Sequence, residues 1–208
     1  GPCPVGERPV EEPEVAQDAG AGGGEEVGGP VEIGLWACRD AAFGDGLGDG
    51  VMQGPLIEDA AVDKVSRHVA DAIAKGGKVT VGGSKMQGQF FEPTVVSEAS
   101  ADMLCAREET FGPFAPVFRF KTEQEAIEAA NNTEFGLASY FYSRDVGRIF
   151  RVSEALEYGM VGINVGILAT EHVPFGGVKQ SGLGREGSHY GMDDYIEIKY
   201  LCVGDILK

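Results

Sequence analysis

The chain has 208 residues, 43% of them hydrophobic, and a formal net charge of −16. That is the size of one domain, or of one domain with a tail, and the apolar content is sufficient for a buried core. The acidity argues against nucleic acid or an anionic membrane as partner, since both select basic surfaces. No run of 18 apolar residues is present to span a bilayer, and the first ten residues, with three prolines, hold no apolar block of the kind a secretory signal needs.

Charge and composition divide the chain. Residues 1–50 hold 11 acids against 2 arginines, with 13 of the 32 glycines and 5 of the 10 prolines, and no Lys, Ser, Thr, Asn, Tyr or His. Ala19 to Pro30 offers almost nothing to bury, so residues 1–43 are expected to be a disordered leader or a non-native one. A restriction to Gly, Ala, Pro, Glu and Val would also fit a shifted reading frame in GC-rich DNA.

From Val51 onward the pattern is α/β. Pro55 opens a helical stretch in which Val62, Val65, Val69 and Ile73 form one apolar stripe, closed by Gly76-Gly77. Lys78 to Val81 reads as a short strand. Phe90 to Val96 reads as another, interrupted at Pro93, and Phe114 to Phe120 as a third, with Pro116 indicating an edge. Thr122 with Glu125 three residues later forms a capping box for a helix running to about Asn131. Leu137 to Tyr142 reads as a buried strand. Asp145 caps a helix whose Val146, Ile149, Phe150 and Val152 are expected to face inward. Gly159 to Asn164 and Ile196 to Val203 complete the strands. Strands alternating with helices predict a three-layer, mostly parallel sheet, with functional loops beyond the strand ends.

Two loops carry chemistry. In Arg107 to Pro116 a pair of acids precedes Phe-Gly-Pro. Gly112 is free to take positive φ and Pro113 fixes the backbone after it, giving a stiff arm that presents Glu109 and Phe111. A carboxylate accepts two hydrogen bonds from a vicinal diol, and a ring packs a planar heterocycle; solvated acids in a turn is the plain alternative. In Pro174 to Gly187, Gly176-Gly177 permits close backbone approach and Phe175 projects from the loop, with ordinary core packing as its plain alternative. Gly182 to Gly187 satisfies Gly-x-Gly-x-x-Gly formally. No strand leads directly into it and no acid sits about 20 residues on in a βαβ unit, so it is not read as a dinucleotide fingerprint.

The four cysteines, Cys3, Cys38, Cys105 and Cys202, form no Cys-x-x-Cys pair and have no His at ligand spacing. A reducing cytoplasm is the expected location, which leaves the Asn131-Asn132-Thr133 sequon incidental. His68, His172 and His189 are expected to be surface or satisfied residues. The short acidic stretch Gly44 to Gly50 lacks the ligand count of a calcium loop.

In order and separation, Arg-Glu-Glu-Thr-Phe-Gly-Pro-Phe-Ala-Pro (107–116) and Pro-Phe-Gly-Gly-Val-Lys-Gln-Ser-Gly-Leu-Gly-Arg-Glu-Gly (174–187) resemble the two C-terminal signatures of the aldehyde dehydrogenase superfamily. Tyr158 to Asn164 and Gly187 to Tyr200 are similar to semialdehyde dehydrogenases, succinate-semialdehyde dehydrogenase above all. The resemblance covers about residues 44–208, as if this were the last third of an enzyme. It implies that Glu109 holds the nicotinamide ribose of NAD or NADP, that Phe111 lines the nicotinamide and that Phe175 walls the aldehyde tunnel. Relatives often place a Ser at the position of Ala169 to bind a distal carboxylate; Thr170, one residue on, is the candidate substitute.

The resemblance also implies a partial catalytic domain over 44–194 and, over 195–208, a strand for a homo-oligomeric sheet. The implied chemistry needs a thiol from a Gly-Gln-x-Cys segment and a base from a Glu-Leu-Gly-Gly segment. This sequence has neither, and Cys3 and Cys38 have other contexts. The expectation is oxidation of an aldehyde, succinate semialdehyde or a related one, to the carboxylate in the parent enzyme, with this chain inactive alone. The other possibility is a non-catalytic α/β fragment serving as an assembly or interaction unit.

Overall fold

The computed structural model describes residues 42–205, so Cys3, Cys38 and nearly all of the expected leader lie outside the described residues. The chain divides at Arg119/Phe120 into two compact units.

In the first unit, α1 (Asp59–Ala74) carries Asp59 in its first turn, where the helix dipole favours an acid. The helix starts four residues after Pro55 and closes as Gly77 N–H donates to the Ala72 carbonyl at 2.8 Å. Its buried face is Val62, Val65, His68, Val69 and Ala72. Ile73, expected on the stripe, is 54% exposed, because Ala72 takes the inward position in the last turn. Val62, Val65 and Val69 pack with Phe91 against Leu56, Val79 and Phe114, and Ala72 with Val96 and Met103. Each fully buried valine contributes roughly 1.5–3 kcal/mol to holding the helix on its sheet.

That sheet has the order β1 (Lys78–Val81), β2 (Thr94–Ala99), β3 (Phe114–Phe118). β2 begins directly after Pro93, and Phe91 makes only an isolated bridge to Lys85. Pro116 sits on the edge strand, opposite Val96, where its missing N–H disrupts no further ladder.

In the second unit, α2 (Glu123–Asn131) is capped by the Thr122 hydroxyl, which accepts from Glu125 N–H at 3.2 Å. The reciprocal half of the box is displaced by one residue, since the Glu125 carboxylate accepts from Lys121 N–H at 2.8 Å. Asp145 caps α3 (Val146–Ala155) by accepting from Arg148 N–H at 2.5 Å. Glu123 ties the two helices together, receiving Arg148 Nε at 3.0 Å and Arg151 Nε at 3.1 Å. Asn131 accepts from Glu157 N–H and donates to the Ala155 carbonyl, so the sequon asparagine is occupied at both ends of its amide. β4 (Phe135–Gly136) pairs antiparallel with β7 (Val178–Lys179), and β5 (Ala138–Phe141) pairs parallel with β6 (Met160–Ile163).

Three expectations are corrected. The described strands form one mixed three-stranded sheet and two strand pairs, two ladders parallel and two antiparallel, in place of a mostly parallel sheet. β1 and β2 are joined without a helix, so the chain folds straight back and the pairing is antiparallel; β5 and β6 have α3 as a crossover and are parallel. Next, Val146 and Phe150 on α3 are exposed, as are Leu137 and Tyr142 flanking β5. Apolar spacing names the face of a helix but not whether anything covers it. Third, Ile196 to Asp205 forms no strand among the described residues: it follows a 3-10 turn (Tyr190–Tyr195) as exposed chain. A strand needs a ladder partner, and residues 196–203 pair with no strand among the described residues.

Candidate functional site

The loop between Arg107 and Phe114 is built onto α1. Glu108 receives Arg67 Nη2 at 3.2 Å and lies 3.3 Å from His68 Nε2. Lys64 Nζ donates to the Glu109 backbone carbonyl. The Thr110 hydroxyl lies 2.9 Å from Nδ1 of the fully buried His68. Three consecutive loop residues are thus held by three side chains of one helix.

Past Thr110 the backbone bends sharply. Phe111, not Gly112, takes the left-handed conformation, at φ +52°, contrary to the expectation that glycine would supply it. Gly112 is required for a different reason: a Cβ there would stand 2.5 Å from Val65 Cγ2, so the loop lies directly on the helix. Thr94 N–H then donates to the Pro113 carbonyl at 2.8 Å and leads the chain into β3.

The consequence is an alternation. Glu108 and Thr110 are spent on helix contacts, while the Glu109 carboxylate has no hydrogen-bond partner among the described residues and the Phe111 ring is 78% exposed. An unpaired carboxylate accepts from two hydroxyls, and an open ring face stacks on a flat heterocycle. The pair therefore suits a ligand that carries a diol beside a flat ring.

The second loop lies in the second unit. Phe175 and Glu186 exchange both backbone hydrogen bonds, at 2.8 and 2.7 Å, and close the loop at its base. Arg185 Nη1 donates to the carbonyls of Gly177 and Gly184 at 2.9 and 2.7 Å, filling the interior of the loop. The predicted close approach occurs at both glycines, since a Cβ at Gly176 would stand 2.6 Å from the Gly184 carbonyl oxygen and one at Gly177 2.6 Å from Ser181 Cβ; Gly159 is as tightly placed, with a Cβ there 2.0 Å from the Gly176 carbonyl oxygen. Phe175 itself is half-buried. Thr170 is exposed, its hydroxyl 3.4 Å from a Glu171 carboxylate oxygen and its carbonyl accepting from Val173 N–H at 3.4 Å. Ala169 is exposed as well.

Of the other titratable residues, Cys105 is half-buried against the Ala72, Val96 and Met103 cluster, and burial pushes its thiol above the usual range, the opposite of an activated nucleophile. His172 lies 3.0 Å from Glu171, and His189 stacks on Tyr190 at 3.9 Å. No group of three or more metal-ligating residues occurs among the described residues. No described helix is long and apolar enough to cross a membrane.

His68, Lys64 and Thr110 are the residues that sequence reasoning left out of the site. A signal existed: His68 falls three residues after Val65 and four before Ala72, within the buried stripe, and a histidine there needs polar partners.

The sequence profile of the aldehyde dehydrogenase family matches residues 35–201. The chain is 61% identical over 172 residues to 3-sulfolactaldehyde dehydrogenase of Pseudomonas putida, covering 82% of this chain and 35% of that protein. It is 59% identical over 164 residues to the NADP(+) succinate-semialdehyde dehydrogenase of Escherichia coli, covering 78% and 34%. Among solved structures, succinate-semialdehyde dehydrogenase from Burkholderia pseudomallei superposes with a TM-score of 0.80 at 60% identity, covering 81% of this chain and 36% of that one. The chain thus spans about a third of the length of the curated relatives it matches.

Proposed function

Because the chain belongs to the aldehyde dehydrogenase family, we propose that it carries the cofactor-ribose grip and part of the aldehyde channel of an enzyme that oxidises a semialdehyde to the dicarboxylate. Glu109 accepts the two ribose hydroxyls next to the nicotinamide, and Phe111 packs against the nicotinamide ring. NAD or NADP, when bound, supplies the hydride acceptor. Phe175 walls the aldehyde channel, and Thr170 replaces a serine as ligand of the distal carboxylate. The substrate class follows the relatives, which are named for succinate semialdehyde, glutarate semialdehyde and 3-sulfolactaldehyde, all aldehydes with an anionic far end. The compartment of action is the cytoplasm.

The single observation that supports this most is the alternation at residues 108–111: two side chains tied to α1 and, between and beyond them, a carboxylate and a ring left open. Charge-assisted hydrogen bonds to Glu109 are worth roughly 1.5–3 kcal/mol, too little to retain a dinucleotide by themselves. Neither a Gly-Gln-x-Cys nor a Glu-Leu-Gly-Gly segment is present. The 208-residue chain alone is therefore inactive and binds NAD(P) weakly.

Calorimetric titration and a dehydrogenase assay with succinate semialdehyde test the reading together. The expected result is no turnover and no NAD(P) binding in the micromolar range. Micromolar affinity would show that the grip is more than one side of a site, and turnover would show a nucleophile that the sequence motifs do not identify.

A further inference from the structure

Taking Glu109 and Phe111 as the ribose and nicotinamide contacts, we propose that His68 is the positioning residue of that grip, holding the loop through the Thr110 hydroxyl so that the flanking carboxylate and ring stay presented.

The geometry assigns the tautomer. Nε2 lies 3.3 Å from a Glu108 carboxylate oxygen, which only accepts, so Nε2 carries a proton. Nδ1 lies 2.9 Å from Thr110 Oγ1, and with the lone pair on Nδ1 the hydroxyl donates to it. Both ring nitrogens then have a partner, at a position with no solvent exposure. The ring is set against Phe114 edge-on, centroids 6.4 Å apart, which limits its rotation.

Core packing alone does not account for this histidine. His68 lies between Val65 and Val69 on the buried stripe, where an aliphatic residue fills the space without needing partners. The partners it does have are the residues immediately before and after Glu109. Lys64, one turn earlier on the same face, holds the Glu109 carbonyl, so the peptide is fixed while the carboxylate is left open. Phe111 adds a left-handed backbone that an unheld loop would relax. The brace thus removes conformers in which Glu109 turns back toward Arg67 or the ring collapses onto the helix, and it lowers the ordering penalty that the cofactor would otherwise meet.

The test uses the 208-residue chain with nicotinamide mononucleotide as probe at millimolar concentration. Amide exchange and NMR shifts of Glu109 to Phe111 are read for wild type, His68→Phe, Thr110→Val and Thr110→Ser. Thr110→Val changes only the loop side of the contact and keeps the helix core intact, so it stands even if His68→Phe does not fold. The expected result is faster exchange and weaker probe affinity in Thr110→Val, each by about 5–10-fold for one lost hydrogen bond, with rescue by Thr110→Ser. Equal probe affinity in Val, Ser and wild type overturns the positioning role while leaving the grip standing. Absence of any probe-dependent shift at Glu109 to Phe111 in wild type overturns the grip itself, and the positioning role with it.

Discussion

The Asn164 side chain accepts from Ser143 N–H at 2.8 Å and donates to the Ser143 carbonyl at 2.8 Å, so a side-chain amide extends the β5–β6 ladder by one backbone-like pair. Asn164 takes φ +56° to do so, a conformation asparagine tolerates better than most residues. Asn164→Ala loses both bonds and keeps the unfavourable backbone, and is expected to lower stability by about 1–3 kcal/mol. Asn164→Gly loses the bonds but relieves the backbone, so it falls between alanine and wild type. Denaturant midpoints with amide exchange of Ser143 check the order; glycine below alanine would refute the backbone argument.

Asp71 joins α1 to the 3-10 turn Leu104–Ala106. Its carboxylate receives Lys75 Nζ at 2.7 Å and the Leu104 N–H at 2.7 Å. The Lys75 hydrogen bond first, and the Leu104 N–H next, hold its pKa below the ordinary value of 3.8, against a smaller upward push from desolvation. A depressed carboxyl stabilises the fold above its unfolded pKa, and the benefit is lost as pH falls through the folded value. Asp71→Asn is therefore expected to lower the thermal midpoint at pH 7 and to lose that difference as the pH falls below 3.8 and through the depressed folded value, which melting curves across the range would show. A difference that persists undiminished at the acid end would mean packing, not charge, is responsible.

Much of the local structure was legible because it follows from single residues. Thr122 and Asp145 were identified as caps and act as caps, and Pro116 was identified as an edge residue and lies on an edge. Sheet order was not legible, because periodicity gives strand faces and not partners. The failure at Ile196 to Val203 has the same origin: apolar alternation says a segment suits a ladder without saying that one exists. At the loop, the exposure of Glu109 and Phe111 was anticipated, but the positive φ was assigned to Gly112. Permissiveness places a glycine on the candidate list; at Gly112 steric contact with Val65, visible only in three dimensions, selected it. His68 is satisfied, as expected of it, but its partners were not legible because they lie 40 and 42 residues away in sequence.

The backbone at Phe111 sets stability against binding. A left-handed non-glycine residue costs about 1–2 kcal/mol, partly offset in a Phe111→Gly variant by glycine's greater unfolded-state entropy of about 0.5–1 kcal/mol. With the ring already 78% exposed, little burial is lost. Phe111→Gly is expected to be as stable as wild type or up to about 1 kcal/mol more stable, and to lose its response to nicotinamide mononucleotide. A thermal midpoint several degrees lower would show that the ring packs more than its exposure indicates.

The final segment presents alternate apolar side chains with no ladder: Ile196, Ile198 and Tyr200 are all exposed, Ile198 at 96%. Extended chain with free N–H and C=O groups and an apolar face gains by adding to another strand, and a second copy of the same segment is always available. Self-association through residues 195–203 is therefore expected to rise with concentration. Ile198→Lys places a charge in the middle of the face and, in a symmetric pairing, brings two like charges close together, which is destabilising. Light scattering should show the wild-type chain as dimers or larger species and Ile198→Lys as monomers at the same concentration. Unchanged scattering would place the contact elsewhere on the exposed apolar surface, with Phe150 and Val146 on α3 the next positions to substitute.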